Sequence, residues 1–244
     1  MKVAIHQPNY LPWIGYFYKM HRSGLFVFLD NVQYSKRSYT KRVKVKKDRY
    51  GDEQRWLSVP VQRVHHDTLI NELVVDDSTD WWLAHKRKLY YAYGNSPHFD
   101  RIAGLVEYAI AEAGSRQLAM INQSIIGYLS NYLNVRPRIE QSSNLGITGH
   151  KADVNISIMK AVGEQQYISG KGADKYQTRD QYQAAGIDLY YADIASFLKS
   201  EQGRTLNYKK AAIGASIFEW LMLYTNTEIL HIFRAADKYA QSDS

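Results

Sequence analysis

The chain has 244 residues, no cysteine and a net charge of +7. That length allows one large domain with a real core, and the missing cysteine excludes disulfides, thiolate nucleophiles and cysteine-held metals. No apolar run approaches the ~20 residues of a membrane-spanning helix, MKVAIHQPNY lacks a signal-peptide pattern, and the excess of Lys and Arg favours polyanionic partners, so a cytoplasmic protein with no membrane partner is expected.

Lys2–Ile5 reads as a short buried strand closed by the turn around Pro8 and Pro12. Trp13–His21 carries Trp13, Phe17 and Met20 at helical spacing. Leu25–Leu29 is a second continuous apolar run, again followed by polar residues. Strand, polar loop, helix, strand, polar loop is the order of a parallel α/β unit, whose ligands gather at the carboxyl ends of strands. With these two strands as neighbours, His6–Tyr10 and Asp30–Arg37 face one crevice. Arg42–Lys46 alternates, with Arg42, Lys44 and Lys46 on one face and Val43 and Val45 on the other, which predicts a strand with one basic face. Trp56–Gln62 and Leu69–Val75 read as further strands around the loop RVHHDT.

From Trp81 to Leu133 the pattern becomes three helices, broken near Asn95–Pro97 and Gly114. Val135–Glu140 returns to the sheet, Lys151–Val162 reads as a helix, and Gln166–Ile168 as a short strand ended by SGKGADKY. Ile187–Tyr191 is another strand. Lys209–Tyr224 reads as a terminal helix with the stripe Ile213, Ile217, Trp220 and Leu221. The expectation is a single domain over residues 1–236, with a helical insertion at about 78–133 and a frayed tail from 237 to 244.

Three clusters carry chemistry-bearing side chains. In HQPNY, His6 can act as a general base or bind a phosphate oxygen, while Gln7 and Asn9 offer amide groups to a planar polar ligand. The same residues also serve as a strand cap and a satisfied turn. In DNVQYSKR, Asp30 can orient a base or an ammonium, Gln33 can read a base edge, and Lys36 and Arg37 can hold phosphate. This loop leads into a segment, Lys36–Arg49, with eight basic residues, one acidic residue and interleaved tyrosines. Basic residues mixed with aromatics suit a nucleic-acid backbone with stacked bases. In ISGKGADKY, Ser169, Gly170, Lys171 and Gly172 form a candidate anion cradle ahead of Tyr176, although the Walker A spacing is absent. His65–His66–Asp67 does not have a metal-ligand spacing, and no metal or cofactor is expected.

The runs IHQPNYLPWIGYFYK, FVFLDNVQYSKRSYTKR, WLSVPV and YISGKGADKYQTRDQYQAAGIDL resemble the WbqC-like family, from Lys2 to about Ile229. The resemblance implies an α/β fold and cytoplasmic group-transfer chemistry. With the elements above, the expected architecture is a mostly parallel, Rossmann-like sheet with flanking helices, a basic β extension and a helical middle segment. Some members accompany O-antigen and other surface-polysaccharide biosynthesis. Others are similar to phage amino acid:DNA transferases, which join an amino acid such as glycine to phosphorylated 5-hydroxymethyluracil. The leading expectation is therefore an enzyme whose partners are DNA and a free amino acid. His6 would be its base and Asp30 would orient the amine. Lys36, Arg37 and Lys171 would hold phosphate. Gln7, Asn9 or Gln33 would read the uracil edge, and Tyr10 or Tyr34 would stack on an extruded base. A transferase acting on an amino sugar or nucleotide sugar, and a non-catalytic DNA-binding module, are the alternatives.

Overall fold

The computed structural model describes residues 1–147, 151–173, 177–205 and 214–242. Its strands are β1 (Lys2–His6), β2 (Leu25–Phe28), β3 (Arg42–Lys46), β4 (Gln54–Ser58), β5 (Arg138–Gln141), β6 (Gln166–Ser169) and β7 (Asp188–Tyr191). Among them run α1 (Ile14–His21), α2 (Trp81–Tyr93), α3 (Phe99–Glu112), α4 (Leu118–Tyr132), α5 (Lys151–Ala161), α6 (Arg179–Ala184), α7 (Ile194–Lys199), α8 (Glu201–Thr205), α9 (Ile217–Leu223) and α10 (Asn226–Ser242).

Five strands form one parallel sheet in the order β5-β2-β1-β6-β7. The chain therefore builds outward from β1 through β2 to β5, then crosses back to the other side of β1 with β6 and β7. This is an α/β, Rossmann-like arrangement, and the order reverses between β1 and β6. β1 is covered on both faces, as its unbroken apolar run requires. Ala4 packs with Phe26, Phe28 and residues of α1–α4, α9 and α10. Val3 and Ile5 pack the opposite way, with Val27, Tyr167 and the α5 residues Val154, Ile158 and Met159. Strand alternation then puts His6 on the Ala4 side, facing α1 and the helical middle segment.

The β1–β2 pairing places His6 opposite Phe28, so the two polar clusters do leave neighbouring strand ends. β3 and β4 form a separate antiparallel ribbon. Its inner face buries Val43, Val45 and Leu57, leaving the basic face outward. The ribbon is tied down where the Lys46 amide donates to the Tyr93 hydroxyl (2.9 Å), which in turn donates to the buried Glu219 carboxylate (2.7 Å).

Several boundaries differ from the sequence reading. The strand expected at Trp56–Gln62 starts at Gln54 and stops at Ser58, because Pro60 has no amide hydrogen for the ladder. Leu69–Val75 is a 3-10 turn at Ile70–Glu72 with isolated bridges on either side. Ile70 and Leu73, three apart, are both fully buried, and the Glu72 carboxylate caps the Leu69 amide at 2.8 Å. The apolar spacing there is that of a turn, not of a strand. β5 begins only after Pro137. The C-terminal helix starts after Ser216, whose hydroxyl accepts from the Phe218 amide (3.2 Å), so it does not run back through 214–216; Lys209 and Ile213 lie outside the described residues. Residues from 237 onward are helical as far as Ser242, with Tyr239 packed 5.7 Å from the Phe197 ring. Among the described residues no helix is long and apolar enough to cross a membrane.

Candidate active site

A cleft of about 320 Å³ opens beside the carboxyl end of β1. Its walls come from the HQPNY turn (His6, Asn9, Tyr10), from Pro12 and Trp13, from Tyr39, Val43 and Lys44 of the ribbon side, and from Gly214 and Ser216. The size suits one small ligand or one nucleobase.

The turn is held by groups remote in sequence. Asn122, fully buried on α4, donates both to the Pro8 carbonyl (2.9 Å) and to the Thr40 carbonyl (2.7 Å). The Tyr10 amide donates to the Tyr39 carbonyl at 3.1 Å. These bonds fasten the loop that carries Tyr39 onto the turn that carries His6. Leu11 sits at φ 42°, in the left-handed region that costs a non-glycine residue about 1 kcal/mol. Its carbonyl accepts from the Ser216 hydroxyl (2.8 Å), and the next carbonyl, of Pro12, accepts from the Ile217 amide (2.8 Å). The six-membered ring of Trp13 covers Gly15, where a Cβ would come within 2.1 Å of the indole. Glycine at position 15 is what lets the indole form a wall.

His6 is held edge-on to Tyr16, with ring centroids 4.6 Å apart. Its Nδ1 donates to the Gln7 carbonyl (3.1 Å), which also accepts from the Tyr16 hydroxyl (3.1 Å). That bond leaves Nε2 as the acceptor nitrogen. Burial, and secondarily the nearby Lys19 ammonium, pushes the His6 pKa down to about 3, so the ring is neutral at physiological pH. Lys19 is itself buried on α1 and held down to about 7 by loss of solvent. Asn9 is also buried, and its Oδ1 has no partner among the described residues. A ligand N–H in the cleft would satisfy it. The Tyr10 hydroxyl donates to His85 Nδ1 (2.9 Å), whose Nε2 donates to the Ser58 carbonyl (3.2 Å). Burial lowers the His85 pKa to about 4.

Of the residues singled out from the sequence, the cleft brings together His6, Asn9 and Tyr10; Gln7 contributes its carbonyl to orient His6. Tyr10 is fully buried with its hydroxyl engaged, and Tyr34 is buried with its amide on the Thr68 carbonyl, so neither offers an open stacking face. Both Asp30 oxygens are occupied: Oδ1 accepts from the Ser142 hydroxyl (3.0 Å) and the Ser143 amide (2.9 Å), Oδ2 from the Ser143 hydroxyl (2.8 Å). Asp30 thereby joins the ends of β2 and β5 rather than facing a ligand. Gln33 is tied to the His66 carbonyl at 2.8 Å. Lys36 and Arg37 are exposed on the approach to the ribbon and do not line the cleft.

Across the sheet reversal, Ser169 is buried and accepts from the Gln177 amide (2.9 Å), and Lys171 pairs with Asp193 at 2.6 Å. A Cβ at Gly170 or Gly172 would meet nothing within 4 Å, so no close backbone approach requires glycine there. Tyr176 lies outside the described residues. The sequence reading missed Trp13, Lys19, Asn122 and Ser216 as parts of the site. Tyr39 and Lys44 were visible only as members of the basic, tyrosine-laced segment. No group of three or more His, Cys, Asp or Glu placed to hold a metal occurs among the described residues.

Fold and site define an α/β protein with a small-ligand cleft at the strand end where its parallel sheet reverses order. The profile of the WbqC-like protein family matches residues 7–228, and the chain belongs to that family. It is similar to an uncharacterized protein of Mycobacterium tuberculosis, Rv1507c, with 28% identity over 204 residues, covering 82% of this chain and 86% of the relative. No solved structure matches the chain significantly.

Proposed function

We propose that the protein is a transferase that joins the amine of a free amino acid to a phosphorylated 5-hydroxymethyluracil base in DNA. The observation that carries this reading is that Tyr39 and Lys44, at the basic ribbon, are also walls of the cleft that holds His6. A base delivered along that ribbon enters beside Nε2 and the free Asn9 oxygen, which suits the uracil N3–H or an ammonium N–H.

In the reaction, Nε2 of His6 takes a proton from the amino acid's ammonium, and the lone pair so freed attacks the methylene carbon on C5. The carbon–oxygen bond breaks and its electron pair leaves with the phosphate, whose charge Lys44 offsets. The proton held on His6 passes to the departing phosphate, and the new secondary amine keeps its charge. By itself His6 is a weak base, because burial and Lys19 disfavour its charged form. A phosphate anion in the cleft opposes both effects and raises the ring toward a useful range.

The test incubates the protein with DNA containing phosphorylated 5-hydroxymethyluracil and single amino acids, then weighs the released nucleosides. With one amino acid, the phosphatase-treated nucleosides should include one heavier than 5-hydroxymethyldeoxyuridine by that amino acid's mass less one water, and His6→Ala should lower the rate about 10²- to 10⁴-fold. No mass gain on DNA, together with transfer to an amino-sugar nucleotide, would overturn the reading in favour of surface-glycan chemistry.

A further inference from the structure

The outward face of the β3–β4 ribbon has an order that the fold does not need. Trp56 stands opposite Lys44 in the ladder and diagonal to Arg42. The Arg42 guanidinium lies 4.2 Å from a ring centre of Trp56 and the Lys44 ammonium 5.3 Å. Tyr39 follows, its ring centroid 5.7 Å from that of Trp56, and then the cleft, which Tyr39 itself lines. Both rings are open to solvent, Trp56 by 38% and Tyr39 by 54%. The core is already served by Val43, Val45 and Leu57 on the other side of the ribbon.

The charges on this ribbon divide in two. At the far end, Lys46 pairs with Asp52 and Lys47 with Glu53. Nearer the cleft, Lys36, Arg37, Lys41, Arg42 and Lys44 have no carboxylate partner among the described residues. Partial burial, and then the nearby charges of Arg42 and Lys36, hold the Lys41 pKa down. An uncompensated cluster of like charges around two exposed rings complements a ligand with repeated anions and flat faces. A duplex presents its phosphates but hides the faces of its bases, so tryptophan and tyrosine faces would gain nothing from it.

We propose that this face binds an unpaired DNA strand, with successive bases on Trp56 and Tyr39 and the phosphates against Lys41, Arg42 and Lys44, and feeds the next base into the His6 cleft. The inference rests on DNA as the acceptor and specifies that the acceptor strand arrives unpaired.

Fluorescence anisotropy with a labelled oligothymidylate of about 12 nucleotides tests it, a length within the span such surfaces cover. The single strand should bind at least tenfold more tightly than the same sequence in a duplex. Trp56→Ala should weaken the single strand about tenfold without changing the salt dependence, and Trp56→Phe should restore most of the loss. Lys44→Gln should instead flatten the salt dependence by about 0.7 in logarithmic slope. Equal affinity for duplex and single strand, or full affinity in a Trp56→Ala protein whose circular dichroism is native, would overturn the proposal. Trp56-dependent strand binding without amino-acid transfer to any DNA would instead defeat the transferase reading and the delivery of a base to His6, while the strand-binding face itself would stand.

Discussion

Lys19 donates from its ammonium to the main-chain oxygen of Ile5, 2.8 Å away and one residue before His6. The same ammonium lies 5.9 Å from the Phe26 ring centre. A lysine turned inward from α1 thus sits under the strand end that carries the candidate base. Its charge is one of the two reasons His6 stays neutral. No carboxylate among the described residues pairs with it, and burial relieves the charge by holding the lysine's pKa down to about 7.

Replacing Lys19 by Met should stabilise the protein in mild acid. The folded-state pKa of about 7 lies below that of an unfolded lysine, so between about pH 7 and 10.4 the unfolded chain binds more protons and stability rises with pH. Below pH 7 the full cost of burying the charge is present, on the order of 5 kcal/mol. Urea midpoints of both proteins at pH 6 and pH 10 check this. The advantage of Lys19→Met should shrink sharply at the higher pH, and an equal gain at both would refute the account.

His6 and His85 should behave as neutral rings throughout the physiological range. With folded-state values of about 3 and about 4, both lie below an ordinary histidine. The unfolded chain therefore takes up more protons than the folded one as pH falls below about 6.5, and stability falls with it. Carbon-proton NMR signals of both rings should stay flat from pH 5 to 8. A midpoint near 6.5 for His6 would mean that it is solvated and unlike the buried base described above.

Asp30→Asn separates a structural role from a catalytic one. Three hydrogen bonds to the carboxylate are lost or weakened, which should cost about 1–3 kcal/mol in stability. Turnover per folded molecule on the transfer substrate should stay within a few fold of wild type. A loss of 10²-fold or more with unchanged melting would return Asp30 to the reaction.

Gly15→Ala should damage the cleft wall directly. The added methyl meets the Trp13 indole at 2.1 Å, so the indole must swing away. Destabilisation of about 1–3 kcal/mol and a red-shifted tryptophan emission are expected. An unchanged emission spectrum would show that Trp13 does not rest on Gly15.

Much of the fold was legible because local patterns and tertiary demands agree in it. The apolar runs at β1 and β2 have to be buried on both faces, the Arg42–Lys46 alternation permits only one buried face, and the breaks at Asn95–Pro97 and Gly114 do separate α2, α3 and α4. Leu69–Val75 misled because a short, mostly apolar stretch, interrupted at Asn71 and Glu72, fits a strand and a buried 3-10 turn equally well.

The sequence by itself determined the layered α/β plan, the basic ribbon and the polar turn after β1, since each follows from the period and composition of a contiguous stretch. Only the tertiary structure decided which polar residues share a cleft. It gave Asp30 partners at Ser142 and Ser143, and it brought Lys19, Asn122 and Ser216, which look ordinary in their own segments, to the end of β1 and the turn after it. The physical reason is that a buried polar atom needs a partner, and the partners here lie up to 205 residues away. Whether a side chain is used up inside the fold or left facing a ligand is set by that long-range pairing, which no local pattern records.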